Sequence, residues 1–254
     1  MKGSSDVDSL HEMKRMRKKS VEFLIRSSHL LRAPLIVKYT GLFLFADRFL
    51  PSLTTLINQR NQIGSWLLRS VEESNLQLFA LISIWISSKK HDSLALSVKC
   101  FKSLRDEFIK DQHFTTRDFV EAEVVFLKVL NFEIGTSNVA FIFLEELFVQ
   151  FNGVAKVGEL VSFEACMDVM DFLYENEETS LLFSSPYSLA AAILACFRSS
   201  KISPINVTSY VITVPKQQWE FPVLPWVKFA TSYKEEDIGE KVKDILMHVF
   251  EPHS

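Results

Sequence analysis

Glycine is scarce. Seven occur in 254 residues, less than half the share of roughly 7% usual in proteins. They stand at Gly3, Gly41, Gly64, Gly135, Gly153, Gly158 and Gly239, no two spaced as G-x-G and none leading into a G-K-[S/T] step. A loop that cradles phosphate brings backbone amides close to the ligand, and glycine permits that approach. The scarcity counts against phosphate-loop, dinucleotide-binding and protein-kinase chemistry. Cysteine is equally sparse. Cys100, Cys166 and Cys196 are odd in number, far apart and without a C-x-x-C, so neither a disulfide framework nor a zinc ribbon is available. All three read as small buried hydrophobes.

Long apolar runs are also missing. The longest, Gly41–Ala46 and Leu189–Phe197, fall far short of the ~18–20 residues that cross a bilayer and read as core helices. The polar, basic start at 1–20 lacks the apolar core of a secretory signal. A reducing intracellular compartment is the default expectation, under which the sequon Asn206-Val207-Thr208 is a chance match. Nor is there an excess of one charge: 28 basic against 31 acidic residues give −3. Bulk electrostatics therefore supports neither nucleic acid nor anionic membrane as a partner. The six histidines, at 11, 29, 91, 113, 248 and 253, show no H-E-x-x-H or other ligand spacing, and no G-x-S-x-G elbow exists. No catalytic residue, metal site or cofactor is expected.

What is present is helical pattern. Pro34 and Pro51 bracket an apolar stretch, and no proline follows until Pro186. A long span free of proline and rich in Leu, Phe, Glu and Lys favours helix. Over Met13–Leu31, the residues Val21, Leu24, Ile25 and Leu31 share one face, with Lys18, Glu22 and Arg26 opposite. A second helix is expected over Leu35–Leu50. A third, Leu76–Lys89, is apolar around nearly its whole circumference, as in the central helix of a bundle. Asp92–Ile109 and Thr116–Leu130 supply two more, with Thr115 or Thr116 as N-cap. Gly135-Thr136-Ser137-Asn138 combines a helix stop with capping residues, and further helices read as Asn138–Phe151, Glu164–Asn176, Pro186–Arg198 and Glu235–Phe250. The proline-rich stretch Lys201–Thr231 reads as irregular chain with a short helix. The fold class is all-α: a disordered tail at 1–12, a first bundle at 13–134 with an extra segment at about 52–74, and a second bundle at 135–250. Two successive groups of about five helices suggest a structural duplication. The basic run Lys14-Arg15-Met16-Arg17-Lys18-Lys19 fits either a solvated helix end or a nuclear-import signal.

Charges in apolar surroundings are the candidate functional groups. Glu123 shares an arc with Phe119, Phe126, Leu127 and Leu130, while Glu121 and Lys128 point away. Asp47 sits among Phe43, Leu44 and Leu50. Arg17 is in line with Val21, Leu24 and Leu31, and Lys89 closes the third helix. A desolvated charge without a partner costs several kcal/mol. Arg17 and Asp47 make a natural internal pair between the first two helices. Lys89 and Glu123 lie near a helix end or rim, and spacing alone allows either an internal salt bridge or an outward-facing pair.

The same residues carry a resemblance. Met16-Arg17 followed by Val21-Glu22-Phe23-Leu24 resembles the MRxxxVDWL opening of a cyclin box. Asp47-Arg48-Phe49-Leu50 is similar to its DRFL, Leu76-Gln77-Leu78 to its LQL, and Ser88-Lys89 to the SK that ends its central helix. Glu123 followed by Phe126-Leu127-Lys128-Val129-Leu130-Asn131-Phe132 resembles the E-x-x-x-L-K-x-L-x-F of its fifth helix. The ordered set spans about 120 residues. Phe163-Glu164-Ala165-Cys166-Met167-Asp168 and Val214-Pro215-Lys216-Gln217-Gln218 resemble the small plant cyclins of the J-eighteen type.

The resemblance implies two tandem five-helix cyclin folds. It implies a non-catalytic regulatory subunit that binds and activates a cyclin-dependent protein kinase in cell-cycle control, in the nucleus or else the cytoplasm. By the same resemblance Lys89 and Glu123 hold kinase main-chain groups, Leu78 supports them from within, and Arg17–Asp47 braces the fold. Three departures stand out. Lys90, His91 and Asp92 replace an aromatic and two acids after Lys89. The chain between Leu50 and Leu76 is longer than the family's, and Trp66, Leu67, Leu68 and Val71 there are expected to pack as an extra helix. The substrate-docking patch, aligned at Met16, Lys19, Ser20 and Phe23, has lost apolar residues at Lys19 and Ser20, so selection by an Arg-x-Leu motif is not expected. The alternative reading keeps the fold and assigns a transcription or scaffold module with a non-kinase partner; the DNA-binding form needs a basic groove, which −3 disfavours.

Overall fold

The computed structural model describes residues 3–58, 64–69, 71–91, 96, 98–109, 111–135, 139–154, 162–175, 185–196, 206–207, 210–211, 231 and 234–250. The chain divides into two compact units, Met1–Ser137 and Asn138–Ser254.

The first unit is built around α4, Glu73–Lys90. Its residues are buried on almost every side, from Ser74 through Ser88 with only Gln77 and Trp85 half-buried. A helix apolar all round must be covered all round, and α4 packs against α1 (Gly3–Leu30), α2 (Leu35–Leu42) and α6 (Thr116–Val129). Helix α2 lies close against α4 at Gly41 and Ser87. A Cβ placed on Gly41 would stand 3.5 Å from the Ile84 backbone, and the Ser87 hydroxyl donates to the Val37 carbonyl at 2.8 Å. Phe49 stacks on Phe126 at 4.5 Å between centroids and tilts against Phe79 at 4.8 Å, all three fully buried.

Pro51 does not end the second helix as its sequence context suggests. After α2 the chain widens into a π-helical segment, Phe43–Phe49, and continues as α3, Leu50–Asn58. A proline ring clashes with the carbonyl four residues back and supplies no N–H. The widening lies immediately ahead of it, with the Leu50 N–H bonded five residues back to Phe45, the kind of adjustment that lets a helix run past a proline.

Other expectations shift by smaller steps. Residues 1–12, expected as a disordered tail, are helical from Gly3, as part of α1. The helix expected from Asp92 is α5, Val98–Phe108, and residues 92–95 lie outside the described residues. Among the described residues of the extra segment, α3 runs on to Asn58 and Trp66–Leu68 form a 3-10 turn. Leu67 is buried, its carbonyl accepts from Asn75 Nδ2 at 3.1 Å, and Ser65 Oγ donates to Glu121 Oε1 at 2.6 Å. Glu121 therefore faces this segment rather than open solvent. Thr115 caps α6 in a reciprocal box with Asp118. A Schellman turn ends it: Phe132 N–H reaches the Leu127 carbonyl at 2.8 Å and Asn131 N–H the Lys128 carbonyl at 3.0 Å, with Asn131 at φ 51° and Phe132 at φ 61°.

The second unit repeats the theme of a buried central helix. α9, Pro186–Cys196, is buried from Ser188 to its end and packs on α7 (Ala140–Val154), α8 (Phe163–Glu175) and α10 (Glu235–Phe250). Ile238, Val242 and Ile245 give α10 its buried stripe. Ser162 caps α8 and Ser185 caps α9 through their hydroxyls. Of the stretch expected as irregular with a short helix, the described part is a two-stranded antiparallel pair, β1 (Asn206–Val207) and β2 (Tyr210–Val211); the remainder up to 230 lies outside the described residues. Cys166 and Cys196 are buried as expected, whereas Cys100 is exposed on α5.

Candidate functional site

Lys89 falls in the last turn of α4 and Glu123 in the middle of α6, which packs beside it. The Lys89 ammonium pairs with Glu123 Oε1. The indole N–H of Trp85 donates to the other oxygen, Oε2, at 3.2 Å, and Lys89 Nζ lies 4.9 Å from the centre of the same ring. The Lys89 side chain is 43% exposed and that of Glu123 24%. The pair is thus neither sealed in the core nor splayed into solvent. It is a half-exposed surface pair held against the rim of the unit.

Its surroundings are apolar. Val120 and Val124 project from α6 at 59% and 42% exposure, Leu127 is half-buried on the same face, and Phe132 beyond the helix end is 64% exposed. The rest of the Lys-Lys-His step pins the end of α4. Lys90 Nζ donates to the Ile134 carbonyl at 2.8 Å, and His91 Nε2 meets Thr40 Oγ1 at 2.9 Å. Burial, and then the Lys90 ammonium nearby, hold His91 below the ordinary imidazole value.

The remaining sequence candidates do not join this site. Leu78 is fully buried, so its contribution is to the packing of α4 and not to a surface. Arg17 and Asp47 are both half-buried, on α1 and on the π-helical segment. Along α1, the four residues of the expected docking patch do not share one exposed face. Met16 is half-buried, Ser20 and Phe23 are buried, and the Ser20 hydroxyl donates back to the Met16 carbonyl at 2.7 Å. Lys19 crosses to α4 and binds Glu73 Oε2 at 2.9 Å, while Gln77 holds the other oxygen of Glu73 at 3.3 Å. Among the described residues no group of three or more His, Cys, Asp or Glu could hold a metal ion, and no helix is long and apolar enough to cross a membrane.

Sequence reasoning passed over Trp85. The available signal was its spacing: it stands four residues before Lys89, on the same helical face, and an indole at the rim of an apolar helix has an N–H to satisfy.

Comparison with known proteins places the chain in a family. Residues 4–135 match the family described as cyclin, N-terminal domain. Cyclin-J18 from Arabidopsis thaliana is 54% identical over 243 residues, covering 96% of this chain and 98% of the relative. Cyclin-J18-like from Oryza sativa subsp. japonica is 49% identical over 241 residues, covering 93% and 88%. In fold, the chain is similar to the crystal structure of a viral cyclin from herpesvirus saimiri, with a TM-score of 0.64 over 94% of this chain and 86% of that one at 15% identity. With a matched domain over half its length and plant relatives about half identical along nearly all of it, the chain belongs to the cyclin family.

Proposed function

We propose that this chain is a non-catalytic regulatory subunit that binds a cyclin-dependent protein kinase and activates it by positioning the kinase C-helix, in cell-cycle control and with the nucleus as its place of action. The observation that carries the reading is the half-exposed Lys89–Glu123 pair bordered by exposed Val120 and Val124. A fixed donor and a fixed acceptor on two packed helices can address main-chain carbonyl and amide groups, and apolar neighbours supply the dry contact that makes such bonds strong. In the same reading the chain is two tandem five-helix folds at 13–134 and 135–250. Leu78 supports the packing of α4, and Arg17 with Asp47 braces the first fold.

The activation step follows from kinase chemistry. Phosphoryl transfer requires the kinase's C-helix glutamate to pair with the lysine that orients the ATP phosphates. A subunit that binds only the helix-in state shifts the kinase toward it by its differential affinity. The test is capture: immobilised chain incubated with plant-cell extract should retain protein-kinase activity, and mass spectrometry should find a cyclin-dependent kinase in the eluate. Retention of a non-kinase partner alone would reject the reading.

A further inference from the structure

We infer that Trp85 is a positioning residue of the partner-binding pair, holding the Glu123 carboxylate and the Lys89 ammonium in one arrangement before any partner arrives. The inference rests on the kinase-binding reading above. A glutamate and a lysine at a surface are both rotamer-rich, and holding them in one geometry costs side-chain entropy. An element that has already ordered them lowers what a partner must supply on binding. Trp85 has the contacts for that task. Its ring is fixed edge-on by Phe101 at 5.4 Å and 83° and by Phe119 at 6.4 Å and 79°. From that anchored position the N–H holds Glu123 Oε2 at 3.2 Å, and the ring lies under Lys89 Nζ at 4.9 Å.

One rigid side chain thus touches both members of the pair. The pair still has capacity for a partner. A carboxylate offers about four lone-pair sites and an ammonium three donors, so one bond to each other and one to the indole leave room for main-chain groups. A phenylalanine at position 85 would keep a ring against Phe101 and Phe119 without the N–H. The N–H itself therefore serves the orientation of Glu123.

The test is a double-mutant cycle read by isothermal titration against a panel of purified plant cyclin-dependent kinases. Trp85→Phe should weaken binding about fivefold to tenfold, the scale of one typical hydrogen bond, with little change in melting temperature. In a Glu123→Ala background the same change should add almost nothing. If Trp85→Phe is not well folded, 3-benzothienylalanine at position 85 keeps the shape and removes only the N–H. Equal weakening in both backgrounds, or none in the wild type, would overturn the inference. The indole proton in NMR separates the two levels. If Glu123→Ala leaves that proton unmoved, the Trp85–Glu123 bond is absent and the inference fails on its own. If the proton moves but kinase binding does not change, the kinase-binding reading of the pair fails and takes Trp85's role in binding with it.

Discussion

Lys89→Ala and Glu123→Ala should separate stability from binding, because the pair is half-exposed in the free chain and would be desolvated in a complex. In the free chain, 43% and 24% exposure place the two among surface pairs, worth roughly 0–1 kcal/mol. For a unit spanning Met1–Ser137, a loss of that size lowers the melting temperature by at most about 4 °C. In a complex, truncating one member of a buried, hydrogen-bonded charge pair typically costs about 2–5 kcal/mol, or roughly thirtyfold to several-thousandfold in Kd. Far-UV circular dichroism melts and titration against the captured kinase measure the two effects on the same preparations. Leu78→Ala is the contrast. Leu78 is fully buried, so its truncation should cost about 2–5 kcal/mol of stability and change the affinity of the remaining folded protein little. The opposite order would refute the reasoning: a lysine or glutamate variant that unfolds the unit, with wild-type affinity in whatever stays folded.

Three further outcomes are expected. An Arg-x-Leu peptide should show no micromolar binding by fluorescence polarisation, because Lys19 is engaged with Glu73 and Ser20 and Phe23 are buried; micromolar binding by the wild type would contradict this. Phe49→Ala removes a fully buried ring stacked on Phe126 and packed on Phe79 and should destabilise by about 3–5 kcal/mol in urea unfolding. Burial pushes the Cys196 thiol up to about 12 and raises Cys166 as well, with Cys196 nearby adding to the shift. Both are then protonated at pH 8, and the thiolate is the reactive form. Native alkylation with iodoacetamide at that pH should modify the exposed Cys100 and spare the other two, as peptide mass mapping would record.

Much of this protein follows from the order of its residues. Apolar spacing near 3.6 located α4, α6 and α10 within a few residues, since a helix must bury a stripe and the stripe is written locally. Thr115 and Asp118 mark the start of α6 for the same local reason, a side chain satisfying backbone N–H groups three residues away. Glu123 among phenylalanines was legible as a charge needing an explanation. The pairing of Lys89 with Glu123 was open to sequence reasoning, but whether it faces inward or outward and which other side chains join in were not. Glu123 is held by Lys89 and Trp85, 34 and 38 residues away, Lys19 by Glu73, 54 away, and Glu121 by Ser65, 56 away. Those pairings depend on the packing of α1, the extra segment and α6 around α4. Similarly, the helix runs through Pro51 because the preceding turns widen rather than break while Phe49 is buried on Phe79 and Phe126. Helical period is a property of neighbours along the chain. Which charges meet is decided by side chains brought together only when the helices pack, and that packing is settled by the whole apolar surface buried at once.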